Sequence, residues 1–117
     1  MKKLLVLCVI GLLPGSPAVA AEGANDFPTL ARVEYVLGCA RDAKGPELEK
    51  LYKCSCVIDA VAQRLTHDEY VEYSTAANAF GIGGERGEMM RAYAGGKEMA
   101  GKYRAVQAEA RKACLMQ

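Results

Sequence analysis

Tryptophan is absent, phenylalanine occurs only at Phe27 and Phe80, and His67 is the single histidine. A core built from this chain must lean on Leu, Val, Ile, Ala, Met and Tyr, and no metal site can be completed by a pair of histidines. Neither sign of charge is in excess, with 15 basic residues against 14 acidic ones. Without a basic stripe the chain does not read as a nucleic-acid binder. Strand-like alternation, internal repeats and low-complexity tracts are missing as well. So are Cys-x-x-Cys-His for haem attachment, Gly-x-Ser-x-Gly for a nucleophile elbow, and EF-hand spacing for calcium. These absences leave a small helical protein with no ready-made catalytic constellation.

What is present begins with Met1-Lys2-Lys3, an apolar run from Leu4 to Leu13, breakers at Pro14, Gly15 and Pro17, and the small-x-small run Ala18-Val19-Ala20. This order describes a secretory signal peptide over residues 1–20, cleaved after Ala20 or Ala21. The apolar run is short for a membrane span, and no spanning stretch occurs downstream. Cys8 follows the large Leu7 inside the apolar run, so it does not fit a lipidation site. The expected mature domain covers residues 21–117. Without Lys2 and Lys3 it carries 13 basic against 14 acidic residues. A periplasmic protein is the expectation.

The mature chain holds four cysteines, Cys39, Cys54, Cys56 and Cys114. An even count in a short exported protein reads as a disulfide framework. On a helical wheel Cys54 faces the core, while Cys56 points outward or towards a flanking segment. A Cys54–Cys56 bridge is therefore set aside. The expected pairing is Cys54–Cys114 with Cys39–Cys56, the alternative being Cys39–Cys54 with Cys56–Cys114. Cys-x-Cys in mid-helix does not match the Cys-x-x-Cys of redox catalysts. Nor do Met89, Met90, Met99 and Met116 show the regular spacing of a copper site. No cofactor and no metal ligand is assigned.

Helical spacing organises the rest. A first helix begins near Pro28 and Thr29, with Leu30, Val33, Leu37 and Ala40 facing inward, and weakens at Gly38 before a turn over residues 41–45. Residues Ala21 to Asp26 read as a loose terminus. A second helix runs from Pro46 to about Arg64, with Leu48, Leu51, Ser55, Ile58, Ala62 and Leu65 inward. Thr66 and Glu69 form a capping box that opens a third, ending near Phe80. Glu85 to Ala94 is a short helix or an irregular segment between two glycine clusters. A last helix starts near Lys97. The fold class expected is all-α, a small disulfide-stapled bundle of four to five helices.

Glu47/Glu49 and Asp68/Glu69/Glu72 sit at helix starts, where the dipole explains them. The glycine-rich stretch from Gly81 to Gly87 lacks a Walker lysine and a preceding strand, which argues against a phosphate cradle. It reads instead as a connector able to carry recognition. Arg86, Met89, Met90 and Arg91 form the candidate partner-binding patch there, since Arg and Met are enriched at interfaces. Six tyrosines leave room for a tyrosine-lined ligand groove.

The run from Leu51 to Ala60, with Tyr52-Lys53-Cys54-Ser55-Cys56 at its centre, is followed by Gly84-Glu85-Arg86-Gly87 and Cys114. Together they resemble uncharacterised small periplasmic proteins associated with quinoprotein alcohol-oxidation systems; that resemblance brings no defined activity. In size, export and helical content the chain is also similar to acid-stress periplasmic chaperones of the HdeA type, whose single disulfide is spaced differently. The functional expectation is a non-enzymatic periplasmic accessory protein that binds another protein. The alternatives are a small-ligand or copper-type metal-binding module and a stress chaperone.

Overall fold

Pro28 and Pro46 each stand one residue before a helix, where a fixed φ suits the start and the missing N–H is no loss. The structure, a computed structural model, describes residues 25–116. The expected signal peptide lies outside them. Five helices follow in order: α1 (Thr29–Asp42), α2 (Glu47–Ala62), α3 (His67–Ala79), α4 (Gly84–Arg91) and α5 (Gly96–Ala113). No strand occurs among the described residues, and two disulfides cross-link the helices, as the sequence leads one to expect.

The short link over residues 43–46 folds α1 back on α2. Helix α5 packs on α2 and along α3. The core lies where these meet: Val57, Ile58 and Val61 of α2 close against Phe27, Ala110 and Cys114. Ile58 and Ala62 are inward as expected, but Leu48 is exposed, and Cys54, Val57 and Val61 complete the buried arc. That arc follows two neighbours, α1 and α5.

In α1 the expected inner residues Leu30, Val33 and Leu37 are exposed, Leu30 by 66%; only Ala40 of that set is buried. Tyr35 and Val36 pack on the core instead. Two tethers set this rotation. Cys39 bonds to α2, and the Tyr35 hydroxyl donates to Gln107 Oε1 at 2.9 Å. Gly38 does not end the helix, which continues to Asp42.

The pairing Cys54–Cys114 with Cys39–Cys56 is overturned. The bridges are Cys39–Cys54 and Cys56–Cys114, with Cα–Cα distances of 5.9 and 5.8 Å. Cys54 is inward, wholly buried, but its inward neighbour is α1 of the hairpin. Cys56 is exposed on α2, and the chain leaving α5 reaches it there.

The stretch before α1 is fastened. The Asp26 carboxylate accepts from the His67 backbone N–H at 2.9 Å, at the positive end of α3. Asn25 Oδ1 accepts from the Phe27 N–H, and Phe27 is buried. The capping box forms as expected: Thr66 Oγ1 accepts from the Glu69 N–H at 3.2 Å, and Glu69 Oε2 accepts from the Thr66 N–H at 2.9 Å.

Candidate functional site

The four residues of the expected partner-binding patch fall on α4, and all are exposed. Gly83 and Gly84 turn the chain into this helix, Gly84 with a φ of 70°. Gly87 is the only buried residue of α4. A methyl group at Gly87 would stand 1.9 Å from the Ile82 carbonyl oxygen, so the first turn lies directly over the loop that precedes it. The Arg91 guanidinium donates to the same carbonyl at 2.8 Å. Arg91 therefore closes the glycine loop, and Arg86 is left as the outward cation. Met89 is 75% exposed, and Met90, Ile82 and Tyr93 are exposed with it. Helix α4 and the residues flanking it, from Ile82 to Tyr93, thus present apolar side chains to solvent.

A second surface lies between α1, α2 and the C-terminal half of α5. It is an open groove of about 870 Å³. One wall is an α5 ridge at four-residue spacing, Tyr103, Gln107 and Arg111, continued by Leu115. The facing wall includes Tyr35, Gly38 and Asp42 of α1. Gln107 joins the walls: its Oε1 accepts from Tyr35, and its Nε2 donates to the Tyr103 hydroxyl at 2.7 Å. Burial pushes the Tyr35 and Tyr103 phenols above the ordinary range, and Tyr70, whose ring lies 6.0 Å from that of Tyr103, is raised in the same way. The sequence suggested tyrosines in a groove but not Gln107, Arg111 or Leu115. Their only sequence signal is the four-residue spacing, which every helix face shows.

His67 is half-buried, with its ring 5.4 Å from Phe27 and 6.4 Å from Tyr70. It packs an aromatic cluster at the start of α3. The four cysteines are all in disulfides. Among the described residues, no three His, Cys, Asp or Glu side chains gather as a metal ion would need. No described helix is long and apolar enough to cross a membrane. The two disulfides are compatible with an extracytoplasmic setting. No protein-family model, curated protein or solved structure matches the chain.

Proposed function

We propose that this chain is a non-enzymatic periplasmic accessory protein, exported by a signal peptide cleaved near Ala20 or Ala21, which binds another protein through α4. The observation that carries the reading is the exposure of Met89, Met90, Ile82 and Tyr93 on one short ordered segment. Contiguous exposed apolar side chains with a polar surround mark interaction surfaces, and Met, Tyr and Arg are the residue types such surfaces favour. The two disulfides tie the three helices α1, α2 and α5 into a scaffold, and α4 packs on α3 and α5. The resemblance of the Cys54-Ser55-Cys56 region to small periplasmic proteins of alcohol-oxidation systems suits an accessory role.

The test is affinity capture from a periplasmic extract of the source organism with the oxidised protein as bait. Wild type is expected to recover a defined protein, with recovery falling at least about tenfold for Met89→Glu/Met90→Glu and less for Arg86→Ala. Equal recovery by all three baits, or no specific recovery by wild type, would overturn the reading.

A further inference from the structure

Two residues stand where another amino acid would serve the fold better, and both line the groove between α1, α2 and α5. Leu115 has a φ of 56°, the left-handed region that glycine adopts most easily. Its position follows the end of α5, where the Met116 N–H donates to the Arg111 carbonyl and the Leu115 N–H to the Lys112 carbonyl. This closing motif uses backbone atoms alone and ordinarily takes glycine at that place. The leucine side chain is 78% exposed, so burial does not explain it either. Gly38 is the converse. It sits inside α1, where alanine is favoured, and a methyl group there would meet nothing within 4 Å. Packing does not demand glycine; an open groove does. Gly101 in α5 is equally unhindered and does not line this groove, so a mid-helix glycine alone is no signal. The weight comes from both departures meeting in one groove, since local rules are broken most often where function requires it.

The charges say what the groove suits. Three of its four cations are partly covered: the Lys50 and Lys53 side chains are 17% and 35% exposed and Arg111 is half-buried, while Lys44 is exposed at the rim. Its carboxylates, on Glu34, Asp42 and Glu49, belong to exposed residues. Lys50 and Lys53 are paired within α2 to Glu47 and Glu49. Arg111 has no ion-pair partner among the described residues. An arginine without a carboxylate partner is a directional anion receptor, whereas hydrated rim charges contribute little. Beyond Arg111 the wall turns apolar at Leu115 and Met116.

We propose that this groove is a binding site for an amphiphilic organic anion, with its carboxylate or sulfonate on the Arg111 guanidinium and its apolar body against Leu115 and Met116. The site goes beyond the protein-binding reading of α4 and does not depend on it.

The probe is 1-anilinonaphthalene-8-sulfonate, titrated by fluorescence into the folded, oxidised protein. One saturable site is expected, weakened about tenfold by Arg111→Gln, as befits loss of one charge-assisted contact. Leu115→Gly should weaken it severalfold and Gly38→Leu should block it. Because Leu115→Gly relieves the left-handed leucine, its melting temperature should rise, so weaker binding there is not a sign of unfolding. The neutral analogue N-phenyl-1-naphthylamine should bind at least about tenfold more weakly, and Met89→Glu/Met90→Glu should leave the site unchanged. Non-saturable binding, binding indifferent to Arg111→Gln and Gly38→Leu, or binding lost with the methionine variant would each overturn the proposal.

Discussion

At Leu115 the backbone and the side chain disagree about what the position wants. A leucine held at a φ of 56° costs about 1 kcal/mol relative to glycine, and an exposed side chain recovers little of it. Leu115→Gly is therefore expected to stabilise the protein by about 0.5–1 kcal/mol, read from urea unfolding. Gly38→Ala should add a similar amount, because the helix gains an alanine and nothing resists the methyl group. An unchanged or lower midpoint for both would mean that each residue contributes to the fold in a way the geometry does not show. Neither position was legible in the sequence. Leucine after a helix is unremarkable until its φ is known, and a glycine at position 38 suggests a weakening end of α1, whereas it is an interior residue lining a groove. The inward direction of Cys54, by contrast, follows from spacing alone, since a wheel fixes direction. The wheel does not say which neighbour occupies that direction, and this is why the expected bridge from Cys54 to Cys114 gave way to one from Cys54 to Cys39.

Elements differed in how far local rules determined them. Helix α3 was legible because its start is written in side chains that satisfy their own backbone. Thr66→Ala should cost about 1 kcal/mol, measured as a shift in the denaturation midpoint; no shift would show that the Thr66–Glu69 bonds do not cap α3 in solution. Helix α1 was located well but rotated wrongly. Its exposed leucines make a better apolar stripe than its buried face, and only long-range ties to α2 and α5 turn that stripe outward. The sequence of α4 is compatible with either a helix or an irregular segment, because its seating depends on contacts at Ile82 that no spacing reveals. Gly87→Ala forces a carbon onto that carbonyl, so α4 must lift. Hydrogen exchange should then accelerate across Gly84–Arg91 while α2 and α5 remain protected. Uniform exchange, or loss of the whole fold, would show that α4 is not the separately seated element described above.

The scale of the whole molecule is set by ties between helices distant in sequence. Cys56–Cys114 closes a separation of 58 residues and Cys39–Cys54 one of 15. On the chain-entropy account these stabilise by about 4 and about 3 kcal/mol. The tyrosines form a second tie: Tyr35 of α1, Tyr70 of α3 and Tyr103 of α5 converge with Gln107, joining helices that the disulfides do not all reach. All three phenols are raised above 10.0, chiefly because burial disfavours the phenolate. The folded chain therefore keeps protons that the unfolded chain releases. Their stabilising contribution is complete below pH 10 and is lost as the pH rises through 10 towards the folded values, so stability must fall with rising pH in that range. Denaturation midpoints measured from about pH 9 to about pH 11.5 should be flat at first and then decline, with tyrosinate absorbance near 295 nm appearing together with unfolding for the buried phenols. Tyr103→Phe keeps the ring and removes one of the three raised ionisations, so it should shallow the decline. A decline of equal slope in wild type and Tyr103→Phe would show that the folded chain holds the Tyr103 proton no more tightly than the unfolded chain does.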